Sequence, residues 1–66
     1  MQVSINGVAV DVADQLTVAV LVRDWAEGRN RVAVAVNATV VPRSEWDTTR
    51  LGSGDSVELL AATAGG

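Results

Sequence analysis

Met1-Gln2-Val3-Ser4-Ile5-Asn6-Gly7-Val8-Ala9-Val10-Asp11-Val12 is the stretch on which the fold turns. Met1, Val3 and Ile5 alternate with Gln2 and Ser4, and Val8, Val10 and Val12 alternate with Ala9 and Asp11. A period of two marks a half-buried strand, because successive side chains point to opposite faces. Asn6-Gly7 lies between the two runs, and both residues tolerate the positive φ that a type I′ turn requires. Residues 2–12 are therefore expected to form a β-hairpin.

The period changes at Thr17. Val18, Leu21, Val22 and Trp25 fall at i, i+3, i+4 and i+7, one face of an α-helix, with Arg23, Asp24 and Glu27 on the polar side. The Thr17 hydroxyl suits an N-cap and Gly28 a helix stop, so the helix should run for about three turns. Its valines are weak helix formers, so packing must hold it. On this reading Trp25 packs in the core, at the end of the apolar face.

Alternation resumes in Val32-Ala33-Val34-Ala35-Val36, a third strand. Asn37-Ala38 reads as a tight turn and Thr39-Val40-Val41 as a short fourth strand ended by Pro42. Residues 42–49 read as a connection with one helical turn, for which Trp46 is the packing anchor, although a Trp there could equally anchor an interface. Leu51-Gly52-Ser53-Gly54-Asp55 is a loop, with Asp55 as its turn former. Ser56 to Ala61 is the last strand. It is apolar on both sides (Val57, Leu59, Leu60, Ala61), which places it inside the sheet, beside the first strand. The order β-β-α-β-β-β describes an α+β chain: a mixed sheet of about five strands packed on one helix. Residues 1–66 form one domain, with residues 62–66 as an extended tail.

Composition narrows the chemistry. The chain has 66 residues, 48% of them hydrophobic, and neither Cys, His nor Lys. A domain of about 60 residues buries only about 60% of the surface of its unfolded chain, and here neither disulfide nor Cys/His metal site can compensate. The net charge of −3, with five Arg, argues against nucleic acid and against an anionic membrane surface, both of which need a basic face. No run is long and apolar enough to span a bilayer, and residues 1–5 lack the form of a signal peptide, so a cytoplasmic location is expected.

Without His, Cys or Lys there is no catalytic triad, thiol nucleophile, imidazole base or Schiff-base amine. Gly52-Ser53-Gly54 precedes a strand rather than a helix and fails the context test for a nucleotide site. Glu45 and Asp47 are close in sequence, yet solvated loop charges explain them better than acid–base catalysis. No catalytic residue or metal ligand is assigned. Gly65-Gly66 remains. By itself a Gly-Gly ending reads as a frayed terminus. Here it follows a buried strand through Ala62-Thr63-Ala64, and a tail of such small side chains can extend and thread a narrow channel.

At this point the sequence resembles a known family. Val34-Ala35-Val36-Asn37-Ala38-Thr39-Val40-Val41-Pro42-Arg43-Ser44-Glu45-Trp46, then Leu51, Gly54-Asp55 and the Ala64-Gly65-Gly66 ending, resemble in order and spacing the ThiS family of thiamine-biosynthesis sulfur carriers. The resemblance covers the whole length. It implies a ubiquitin-like β-grasp fold and a protein carrier rather than an enzyme. It also implies that Gly66 is the modified residue, with Gly65, Ala64 and Thr63 entering partner channels. An adenylating enzyme of the ubiquitin-activating type would use ATP-Mg, which this chain itself does not bind. A sulfur donor such as a cysteine desulfurase would then supply the sulfur of a thiocarboxylate, and thiazole synthase would accept it. Two positions depart from the family pattern: Val20 stands where Glu often completes a capping box, and Ala61, Ala62 and Thr63 stand where larger apolar residues are common. Three other readings stay open: a carrier for molybdopterin or cysteine synthesis, a ubiquitin-like interaction module with an inert terminus, and a modifier conjugated to lysines.

Overall fold

The Asn6-Gly7 turn forms as the sequence requires, with φ of +51° and +85°. It joins β1 (Gln2–Ile5) to β2 (Val8–Asp11), which pair antiparallel with Val3 opposite Val10 and Ile5 opposite Val8. The computed structural model describes residues 1–26 and 32–61. After the hairpin come α1 (Val18–Trp25), β3 (Val32–Val36), β4 (Thr39–Val40), a 3₁₀ turn at Arg43–Glu45 and β5 (Ser56–Ala61).

The sheet order is β2-β1-β5-β3-β4. β5 runs parallel to β1 and antiparallel to β3, so the sheet is mixed and its last strand is central, as the sequence predicts. This is the ubiquitin-like β-grasp architecture, with one helix lying across one face. The core is small and aliphatic: Val3, Ile5, Val34 and Val57 from the sheet, Val18, Leu21 and Val22 from the helix, and Trp46 and Leu51 from the connection.

Helix α1 begins where expected. The Thr17 Oγ1 accepts from the Val20 N–H at 3.3 Å. The capping box that Val20 cannot complete is replaced by tertiary contacts. The Val18 N–H donates to the Thr49 carbonyl at 2.9 Å and the Ala19 N–H to the Trp46 carbonyl at 3.1 Å. Three of the N–H groups that a helix start leaves orphaned are thus satisfied, two of them by the 46–49 segment.

The helix is shorter than the expected three turns: its eight residues end at Trp25, with Ala26 as C-cap. The expected stop at Gly28 lies outside the described residues. Trp25 itself is a correction. Val18, Leu21 and Val22 are buried, but Trp25 is 51% exposed rather than packed in the core. Periodicity fixes the angle of a side chain about the helix axis. It does not say whether the core still extends beneath the last turn, about 4.5 Å beyond Val22 at 1.5 Å per residue.

The indole that the core does hold is Trp46, 9% exposed. Its Nε1–H donates to the Val41 carbonyl at 2.9 Å, which satisfies the polar edge that a buried Trp carries. The Arg43 guanidinium lies 5.2 Å from the centre of its ring, within cation–π range. The Val41-Pro42-Arg43 step and Trp46 therefore form one packing unit, and the local structural role expected of Arg43 is what the geometry gives.

β4 is one residue shorter than the sequence suggests, although the Val41 N–H still donates to the Val34 carbonyl at 2.9 Å. No helix is long and apolar enough to cross a membrane.

Candidate functional site

Thr63, Ala64, Gly65 and Gly66, and with them the tail 62–66, lie outside the described residues. What the structure describes is the root from which that tail leaves. Ser4 and Ile5 pair with Ser56 and Val57 on one side of β5. On the other, β3 pairs along the whole strand, from Val36 opposite Val57 to Val32 opposite Ala61.

The entry to β5 is fixed by Asp55. Its Oδ2 accepts from the Gly52 N–H at 2.7 Å, and its Oδ1 accepts from Asn37 Nδ2 at 3.0 Å. Gly54 takes φ of +87° within this turn, a conformation that glycine reaches without steric cost. Asp55 is a turn former, as expected, although the backbone group it binds is three residues back rather than two ahead.

Two asparagines hold β5 from opposite sides. Asn37 Oδ1 accepts from the Ser56 N–H at 3.0 Å. Asn6 Oδ1 accepts from the Leu59 N–H at 2.8 Å, and Asn6 Nδ2 donates to the Leu59 carbonyl at 3.2 Å. Sequence reading assigned both residues to their turns alone. Their side chains were not legible, because a hydrogen bond across 53 residues leaves no local pattern.

The face of the sheet turned away from the helix carries a second feature. Leu60 sits opposite Ala33, and Val40 opposite Ala35. Leu60 is 74% and Val40 70% exposed. With the two alanines between them they make an apolar strip beside the root of the tail. The expectation that β5 is central holds, but covered faces are not the reason. The helix covers one face only, and Leu60 lies on the other. The pair Leu59-Leu60 was the available signal, since adjacent residues of a strand cannot both point into one core.

Catalytic chemistry finds no setting among the described residues. No charged side chain is buried, so none occupies the dry cleft in which catalytic carboxyl groups are tuned. Glu45 and Asp47 are exposed. The Glu45 carbonyl accepts from the Thr48 and Thr49 hydroxyls at 3.3 and 2.7 Å, closing a local turn. No group of three or more acidic residues could hold a metal ion among the described residues.

Comparison with known proteins matches this architecture to one family. The model of the ThiS family matches residues 3–66. The crystal structure of the thiamine biosynthesis protein ThiS from Geobacter metallireducens superposes with a TM-score of 0.84 at 32% identity, covering 100% of both chains. The NMR solution structure of a thiamine biosynthesis protein from the same organism gives 0.80 at 33% identity, covering 100% of this chain and 88% of that one. Comparison with curated proteins returns no match.

Proposed function

This chain belongs to the ThiS family, and on that premise we propose that it is a sulfur carrier of thiamine biosynthesis, charged at the carboxylate of Gly66. The observation that carries the reading is the extent of the family match, which runs to Gly66 and so includes the Gly65-Gly66 ending. The fold supports it, because the strand that leads into the tail is the central one and is held on both sides.

A carboxylate is a poor electrophile, and activation divides one difficult substitution into two easier ones. In the first step, a Gly66 carboxylate oxygen bonds to the α-phosphorus of ATP and pyrophosphate leaves. An adenylating enzyme holds ATP-Mg for this step. In the second, a sulfur nucleophile from a donor such as a cysteine desulfurase bonds to the acyl carbon, and AMP leaves. The product, once its sulfur is free, is a C-terminal thiocarboxylate. Thiazole synthase takes the tail and accepts the sulfur. This chain contributes no base and no nucleotide site. It presents Thr63, Ala64 and Gly65 as a slim stem that fits a channel, and it works as a co-substrate of its partners rather than as an enzyme.

Leu60, Ala33, Ala35 and Val40 adjoin the stem, so the adenylating enzyme that seats the tail must also cover this strip.

The test is intact-mass measurement of the protein purified from its own cells. A fraction should be heavier by the difference between sulfur and oxygen, and deletion of Gly66 should abolish it. Larger covalent adducts on lysines of other proteins would instead indicate a modifier. Uniformly unmodified protein from cells actively making thiamine would sink the carrier reading.

A further inference from the structure

The backbone groups of β5 alternate between its two neighbours. Ser56 faces β3, where its carbonyl accepts from the Asn37 N–H at 2.7 Å. Val57 turns its carbonyl to the other side and accepts from the Asn6 N–H at 2.9 Å. Leu59, two residues on, faces that same side. There β1 has already ended at Ile5 and the chain is turning back into β2. Leu59 therefore faces a gap one position beyond its last strand neighbour. The Asn6 side chain fills the gap with an acceptor for the Leu59 N–H and a donor for the Leu59 carbonyl. A carboxamide has the hydrogen-bonding groups of a peptide unit, so it reproduces the two bonds that one more residue of β1 would make. The turn does not demand this, since glycine or aspartate also tolerates its positive φ.

We infer that Asn6 is a positioning residue for the Gly66 carboxylate: by clamping Leu59 it fixes where, and in which direction, the chain leaves the sheet. The inference rests on the carrier reading of Gly66. Beyond Leu59 the β1 side of the strand has no partner strand, and only β3 continues, to Ala61. Loss of the clamp frees one edge of the strand end and lengthens the tethered segment. A longer, less directed tether lowers the effective concentration of its end at a fixed point on a docked partner. The tail residues meet the partner, whereas Asn6 acts on them only through Leu59.

Asn37 supplies the control. It clamps Ser56 at the opposite end of β5, also from a positive-φ turn position (+49°). Asn6→Gly and Asn37→Gly each keep a backbone suited to the turn and remove one clamp. The measurement is ATP–pyrophosphate exchange catalysed by the adenylating enzyme of the same organism, with the carrier varied and all proteins folded. Asn6→Gly should lower kcat/KM for the carrier roughly three- to tenfold, the scale of one or two lost hydrogen bonds. Asn37→Gly should leave it within about a factor of two of the wild type, despite a similar loss of stability. Hydrogen exchange should show the Leu59 amide losing protection in Asn6→Gly only. Unchanged kcat/KM in Asn6→Gly, an equal fall in Asn37→Gly, or an unaltered Leu59 amide would each overturn the inference. Absence of exchange with the wild-type carrier would overturn the carrier reading and this inference together, and is told apart by that wild-type result.

Discussion

Ala38 occupies the second central position of the β3–β4 turn at φ of +69°, after Asn37 at +49°. The left-handed region costs a residue with a Cβ roughly 1–2 kcal/mol. Glycine removes that cost but gives back part of it through a more disordered unfolded state. Ala38→Gly should therefore stabilise the protein by about 0.5–1 kcal/mol, read as a raised urea midpoint with an unchanged slope. The two tryptophans offer an opposite test. Trp46 fills the core and donates to Val41, whereas Trp25 is half exposed. Trp46→Ala should cost roughly 3–5 kcal/mol, enough to unfold much of a domain this small. Trp25→Ala should cost under about 1 kcal/mol. Acrylamide should quench the fluorescence of the Trp25 indole well before that of Trp46, as single-Trp variants with Phe at the other position would reveal.

At the scale of elements, β5 is where stability and function meet. Val57 belongs to the core, Leu59 is held by Asn6, and Leu60 faces outward with Val40 across the small side chains of Ala33 and Ala35. Large apolar residues exposed side by side on a sheet mark a contact surface more often than lone ones do. Leu60→Arg should leave the melting temperature nearly unchanged, because no core contact is lost. It should raise the KM of the adenylating enzyme for this carrier about tenfold, the size of a modest hot spot near 1.4 kcal/mol. An unchanged KM would place the docking surface elsewhere. Helix α1 shows the converse arrangement. Its start is fixed as much by the 46–49 backbone as by its own cap, so a chain with Val at position 20 does without the Glu of a capping box.

For the molecule as a whole, every core residue lies between Val3 and Val57, while the proposed chemistry lies at residue 66. Stability and carrier activity should therefore separate. Deletion of Gly65-Gly66 should leave the thermal transition where it is, yet abolish pyrophosphate exchange with the adenylating enzyme. A lower transition temperature would mean that the terminal glycines take part in the packing. The same separation accounts for a composition without His, Cys or Lys: a core of Val, Leu and Ile with one seated indole is sufficient for the scaffold.

The sequence by itself determined the elements and the tail. Asn6-Gly7, the alternating valines, the Thr17 cap and the Gly65-Gly66 ending act through bonds and periods of a few residues, and such short-range rules are written in the chain. Its pattern of apolar residues also placed β5 at the centre of the sheet. Tertiary structure alone decided how far the core reaches along α1, and so left Trp25 in solvent and seated Trp46. It alone turned Leu60 and Val40 onto one uncovered face and brought Asn6 to Leu59. Those outcomes depend on where separate segments end relative to one another, a distance that the period of a helix or strand does not contain.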